Sequence, residues 1–385
     1  MLTLALVTLL AGCTTSVAPI EPAPTFAPRP AAEPIDPVVQ YAHDRLATMT
    51  LREKILSMLM IHVPGTNAAD RAGLARSGIG GFILMRDNIP ASLSALASQT
   101  AESSPESGLP VLIATDQEGG IVRRVPADSS PSAAELRTLP PRATFEAFSQ
   151  RGDLLTTVGV NVNFGVVADV ARDPASFIYE RSFGATGADA GARVAEAVKG
   201  ESPVLSTLKH FPGHGAAPGD SHYSVPSTTM TFEDWRTSHA LPFEAGIDAG
   251  ATFVMFGHLA YTSVDAEPAT FSHRWHEILR DDLAFDGIVI TDDMGMLERS
   301  GVAAYEDQIT NAVRAIAAGN TMLLYVGNVD IAGVVAAVTQ AIDAGTLDEA
   351  LIDDAALALL ETRRRLSGET GRFVHCSAEC TELLS

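Results

Sequence analysis

Positive charge is what this 385-residue chain is short of: 26 lysines and arginines face 47 aspartates and glutamates, for a net charge of −21. Such a balance excludes a nucleic-acid partner, because binding a phosphate backbone rests on Lys and Arg releasing counterions. Aromatic residues are scarce at 6%, with two tryptophans. Both, Trp235 and Trp275, fall in helical patterns, where packing is expected rather than a sugar platform. Cysteine is rarer still, at three. A metal site at Cys376 and Cys380 would need more ligands than His375 offers nearby. No Gly-x-Gly-x-x-Gly opens a helix after an early strand, so the signature of a doubly wound dinucleotide-binding sheet is missing. The apolar run at the N-terminus, Met1 to Leu10, is too short to span a bilayer.

What is present is a chain that is 46% hydrophobic with 31 glycines, a composition suited to an α/β protein rich in Ala, Val, Ile and Leu. The N-terminal run ends in Leu10-Ala11-Gly12-Cys13, which resembles the lipobox of bacterial lipoproteins. Residues 1–12 are then a signal peptide, and Cys13 is the lipidation site and mature N-terminus. Residues 14–37 are rich in proline and alanine and read as an extended tether. Together they place the folded body, residues 38–366, in the cell envelope, anchored by lipid alone to the outer face of the cytoplasmic membrane. Residues 367–385 form a tail whose Cys376 and Cys380 are placed for a local disulfide in that oxidising setting.

The body opens with a capping box, Thr50 at the N-cap and Glu53 three residues on, starting a helix through about Met58. One cycle then repeats: amphipathic helix, short apolar strand, polar loop. Strands are expected at residues 59–63, 79–85, 111–115, 160–167, 204–208, 252–256, 287–291 and 321–326. Two of the units turn from helix to strand through Ala-Gly, at Ala249-Gly250 and Ala318-Gly319. Eight strands alternating with helices imply a parallel sheet closed into a (β/α)8 TIM barrel of the α/β class. The residues after the eighth strand read as two helices and a tail, so a single catalytic domain without a second α/β sandwich domain is expected.

A barrel of this type carries its chemistry just after the C-terminal ends of its strands. The polar residues fall there: Asp116 after the third, Asn163 and Asp169 about the fourth, Lys209 and His210 after the fifth, His258 after the sixth, Asp292 and Asp293 after the seventh. The densest stretch is Lys209 to His222, with three histidines, a lysine and an aspartate in fourteen residues. Its glycines and prolines forbid regular secondary structure, and they suggest a flap. Asp220 stands two residues before His222, close enough to orient its ring. One of Asp292 and Asp293 is expected to cap the following helix while the other faces the barrel mouth. His210 and His214 have the spacing of a helical zinc pair, but Phe211-Pro212-Gly213 breaks a helix. For His258, a structural and a functional role are equally open.

These motifs occur in the order seen in family 3 glycoside hydrolases: Asp116-Gln117-Glu118-Gly119-Gly120, Asn163-Phe164, Arg181-Ser182-Phe183-Gly184, Lys209 to Gly215, Asp220-Ser221-His222 and Thr291 to Met296. The chain resembles the β-N-acetylglucosaminidase branch that acts on peptidoglycan fragments, in its envelope-anchored form. The resemblance implies that Asp292 is the nucleophile of a retaining mechanism, His222 the acid/base and Asp220 its orienting carboxylate. It also implies that Asp116, Arg124, Arg181, Lys209 and His210 hold the hydroxyls of a terminal N-acetylglucosamine. No metal and no cofactor are then needed, and a monomer acting on a small carbohydrate is expected. Ile121 stands where the family usually has an arginine, with Arg123 and Arg124 close behind. A phosphorylase is the nearest alternative, because a histidine acid/base tolerates an anionic acceptor. A metal-dependent hydrolase using His210, His214, Asp220 and His222, or a glycan-binding lipoprotein, are the others.

Overall fold

The computed structural model describes residues 36–367 together with Gly12. Cys13, the proline-rich segment 14–35 and the Cys376/Cys380 pair lie outside the described residues. Eight parallel strands form a closed barrel: β1 Leu59–Ile61, β2 Gly81–Leu84, β3 Leu112–Thr115, β4 Val162–Val167, β5 Leu205–Phe211, β6 Phe253–Phe256, β7 Ile288–Asp293 and β8 Met322–Tyr325. They neighbour one another in chain order, and β8 returns to pair with β1. Each expected strand is found, and the fold is the expected (β/α)8 barrel.

Alternation along each strand explains the layering, since successive side chains point to opposite faces. On β6, Phe253 and Met255 join one apolar cluster, while Val254 and Phe256 join the other. On β7, Ile288 and Ile290 divide from Val289 in the same way. The second cluster contains Phe211 at the end of β5, surrounded by Trp235, Phe243, Phe256 and Trp275 with ring centroids 4.8–6.0 Å away. Both tryptophans are fully buried in short helices, Phe232–Arg236 and His273–Glu277, and serve as packing.

Local signals hold where expected. Thr50 and Glu53 form the capping box of the helix Leu51–Ser57. Gly319 takes a left-handed φ of 115° as the C-cap of the helix before β8, and Gly250 has a φ of 97° in the matching turn before β6. The two expected helices after β8 are Ile331–Asp343 and Glu349–Arg365.

One expectation fails in an informative way. The fifth strand was expected to stop at Leu208, with Lys209 opening an irregular loop; it runs on to Phe211. The ladder continues because Lys209 O accepts from Ala168 N at 2.7 Å and Phe211 O accepts from Gly257 N at 2.9 Å. The peptide bonds Lys209–His210 and Phe211–Pro212 are cis. Irregular chain begins only at Pro212, where one short turn, His214–Ala216, is all that forms before Ser227. The seventh strand likewise includes Asp292 and Asp293 rather than ending before them. Lys209, His210 and Asp292 are thus mounted on the barrel itself.

Phe243→Ala removes a fully buried ring from the second cluster. We expect it to cost about 3–5 kcal/mol in stability, read from chemical denaturation.

Candidate active site

A cavity of about 300 Å³ opens at the C-terminal end of the barrel. It is lined by every expected ligand-holding residue, Asp116, Arg124, Arg181, Lys209 and His210, and by Asp292 and His222. Its lining also includes the apolar side chains of Ile83, Met255 and Leu324.

The charged side consists of two carboxylates and three cations. Lys209 Nζ lies 2.9 Å from Asp116 Oδ1 and 2.7 Å from Glu118 Oε1. Arg124 Nη2 donates to Asp116 Oδ2 at 3.0 Å, and Arg181 grips Glu118 through Nε and Nη2 at 2.8 and 2.7 Å. Burial acts to raise the Glu118 carboxyl, but Arg181 and Lys209 outweigh it and hold the group at about 2. Burial works against the Lys209 ammonium, yet Asp116 and Glu118 raise it above its ordinary range. Glu118 and Lys209 thereby hold each other in their charged forms.

Gln117 sets this geometry from beneath. Its amide N donates to Asn163 Oδ1 and its carbonyl accepts from Asn163 Nδ2, both at 3.0 Å. Its side-chain Oε1 accepts from Arg124 N at 3.0 Å and Val125 N at 2.9 Å, which folds the hairpin back and brings Arg124 over Asp116. Asn163 Nδ2 also donates to Glu201 Oε1. Burial raises the Glu201 carboxyl to about 8, so it is neutral at pH 7.

The Asp292-Asp293 pair divides as expected. Asp293 is buried; its Oδ1 accepts from Gly295 N at 3.1 Å and Val326 N at 2.9 Å, and its Oδ2 from Arg299 at 2.9 Å. It fastens the strand end to the helix that follows. Asp292 accepts one hydrogen bond, from Asp293 N at 2.8 Å, and among the described residues it forms no ion pair. Burial acts to raise its carboxyl, but the imidazoles of His210 and His258, the Asp293 amide and Lys209 lower it. An anionic oxygen is left facing the cavity.

The dyad stands on the loop. Asp220 Oδ1 accepts from His222 Nδ1 at 2.6 Å and from His222 N at 3.0 Å. Burial acts to raise the Asp220 carboxyl, but the bonds from His222 and the nearby imidazoles together outweigh it, so the carboxyl is lowered. The His222 side chain is 56% exposed. The candidate zinc set does not converge: His210 Nδ1 goes to Asp169 at 2.7 Å, His222 Nδ1 to Asp220, and the His214 ring lies edge-on to Phe177. His258 is structural, with Nδ1 on Thr270 at 2.7 Å and Nε2 on the Asp293 carbonyl at 3.0 Å.

Two residues gain roles that sequence reasoning left unassigned. Glu118 pairs with Lys209 and Arg181; its signal was the two-residue step from Asp116, which puts both carboxylates on one face of an extended chain. Asp169, fully buried, accepts from His210 N, His210 Nδ1 and His214 N and so roots the loop. No local pattern distinguishes it from a solvated aspartate after a strand.

The profile of the glycosyl hydrolase family 3 N-terminal domain matches residues 50–361. A β-hexosaminidase of Idiomarina loihiensis is 31% identical over 325 residues, covering 80% of this chain and 97% of that protein. Among solved structures, a family 3 β-N-acetylglucosaminidase from Paenibacillus sp. superposes with a TM-score of 0.78 at 30% identity, over 88% of this chain and 68% of that one. A β-N-acetylhexosaminidase from Beutenbergia cavernae gives 0.71 at 29% identity, over 82% and 99%.

Glu118 carries a pH signature. Its folded-state pKa of about 2 lies below the ordinary 4.5, so its stabilisation is fully present above pH 4.5 and is lost as pH falls towards 2. A displacement of that size is on the order of 3 kcal/mol. Glu118→Gln is expected to lower stability at pH 7 by about that amount and to flatten the acid limb across that window. Urea titrations at stepped pH provide the check.

Proposed function

The chain belongs to glycosyl hydrolase family 3 and is a glycoside hydrolase; on that premise we propose that it is an exo-acting, retaining β-N-acetylglucosaminidase. The observation that carries the reading is the pairing within one cavity of a strand-mounted carboxylate, Asp292, which forms no ion pair among the described residues, with the loop-mounted His222, itself held by Asp220. Retaining hydrolysis needs a nucleophile and a proton donor on opposite sides of the glycosidic bond.

In the first half-reaction Asp292 attacks the anomeric carbon while protonated His222 gives its proton to the departing oxygen. Asp220, whose carboxyl is lowered by its bonds to His222, accepts from Nδ1 and fixes the ring so that Nε2 is the donor. In the second half, neutral His222 takes a proton from water as that water attacks the anomeric carbon and releases Asp292. Asp116, Arg124, Lys209 and His210 hold the sugar hydroxyls, with Arg181 supporting them through Glu118. One closed end, walled by paired charges, suits a single terminal residue.

The substrate we assign is a β-linked N-acetylglucosamine at the non-reducing end of peptidoglycan fragments. Two things support it: the named activities of the relatives, and the lipobox-like segment at Cys13, which would hold the enzyme beside the wall.

Protein lacking residues 1–35 is expected to release nitrophenol from 4-nitrophenyl β-N-acetylglucosaminide with EDTA present. Asp292→Asn should lower kcat by about ten thousand-fold or more, and His222→Ala by about a hundred- to ten thousand-fold. Turnover abolished by EDTA would sink the metal-free mechanism. Sugar 1-phosphate formed when phosphate is added would make the enzyme a phosphorylase instead.

A further inference from the structure

Asp220 and His222 sit two residues apart on one loop, so the bond between them orients the ring but does not fix the dyad against the barrel. The other hydrogen bonds of this turn, Tyr223 N to Asp220 O at 3.2 Å and Ser224 Oγ to Asp220 O at 3.2 Å, are also internal to it. Yet the mechanism proposed above needs the imidazole at a set position relative to Asp292, and the ring is 56% exposed.

Among the described residues one aromatic ring from another element meets it. Phe177, in the segment after β4, stands edge-on to His222, with centroids 6.4 Å apart and planes at 88°. This is within the range of a favourable T-shaped pair. Phe177 is itself held from behind by His214, at 4.7 Å and 76°. Its backbone is anchored on the C-terminal side: Ile178 is buried against Val167 and Ala171, and Arg181 is clamped to Glu118. The rest of the segment does not touch the loop tightly. A groove of about 470 Å³ runs between Asp173–Phe177 and Gly215–Asp220, and the ring bridges its inner edge. Phe177 also lines the catalytic cavity on the same side as His222. His214 suits the backing role. It is buried, its ring nitrogens have no hydrogen-bond partner among the described residues, and burial lowers it to about 4, so it is a neutral aromatic plate at neutral pH.

We propose that Phe177 is a positioning residue for the acid/base, a wall that sets the His222 imidazole over the glycosidic oxygen. The proposal rests on the acid/base assignment to His222. It is separable from it, because proton donation matters most when the leaving group is poor. Nitrophenolate departs with little help; a sugar alkoxide does not.

The test compares Phe177→Ala and Phe177→Tyr with the parent on 4-nitrophenyl β-N-acetylglucosaminide and on N,N′-diacetylchitobiose. Phe177→Ala is expected to lose about ten- to a hundredfold more in kcat on the disaccharide than on the nitrophenyl sugar, and Phe177→Tyr, which keeps the ring, to restore it. Equal losses on both substrates, or a loss confined to KM on the disaccharide, would overturn the proposal in favour of a structural or a sugar-platform role. An activity-independent arm uses the imidazole resonances of His222, assigned by their disappearance in His222→Gln. They should shift in Phe177→Ala and return in Phe177→Tyr; resonances indifferent to Phe177 would refute the contact even if the enzyme reading stands. Should the parent cleave neither substrate while the resonances shift, the contact holds and the enzyme reading fails.

Discussion

The Lys209 ammonium, lodged between Asp116 and Glu118, is the contact on which the rest of the site depends. Two carboxylates brought this close in a buried mouth would repel, and one would take up a proton. Lys209 with Arg181 and Arg124 prevents that, and the compensation is nearly complete within the cluster. The consequence reaches the opposite side of the barrel. Because the cations on the β3–β5 side are engaged, none forms an ion pair with Asp292 across the cavity on β7. A carboxylate joined to an arginine would be a poor nucleophile. Asp292 is stabilised as an anion through imidazoles and a backbone amide, which hold its charge without covering its reactive oxygen.

That division explains why the neighbouring carboxylates, Asp292 and Asp293, have such different lives. Asp293 spends both oxygens on the scaffold: two backbone amides on one, Arg299 on the other. Its adjacent amide is then fixed in direction and serves Asp292 as its hydrogen-bond donor. His258 fastens the same strand end through the Asp293 carbonyl, a buried support for the catalytic strand rather than a participant. Asp292, the proposed nucleophile, therefore rides on a barrel strand whose end is tied down by these bonds, as precise attack on one carbon would require.

Much of this was legible in the sequence, because strand periodicity and the barrel's rule about strand ends are local statements. Eight apolar runs marked the strands, and the polar residues at the ends of the third to seventh runs marked the mouth. That one of Asp292 and Asp293 would serve the helix start was also local, though which one was not, and Asp293 does so by accepting from Gly295 N while Met294 holds the N-cap position. What escaped was set by pairing across the barrel. Glycine and proline after Phe211 suggested that Lys209 opened a loop, but hydrogen bonds to β4 and to Gly257 carry the strand through it. Asp169 anchors two histidine amides that lie more than forty residues away, and Glu118 finds Arg181 and Lys209 at similar or greater distance in the chain. Spacing within a motif cannot announce partners that only closure brings together.

His222, the proposed acid/base, is mounted on the opposite principle, and the constraint on the loop explains how it can be. At its root the loop is fixed: Asp169 takes its first amides, and a Cβ on Gly215 would fall 1.9 Å from the Val170 carbonyl, so this turn admits no side chain. Beyond the root, Gly219 has a φ of 111°, where a Cβ would meet only Pro226 and Ser224 of its own loop at 3.8 Å, and the chain up to Asp220 borders a groove instead of a packed wall. A histidine placed there can donate a proton without the deep burial that a carboxylic acid would require to stay protonated. The same openness leaves the dyad short of neighbours. A fixed root with an unpacked tip delivers an imidazole into the right region but not to one place, and a single ring reaching over from the next segment is the least structure that can supply the missing coordinate.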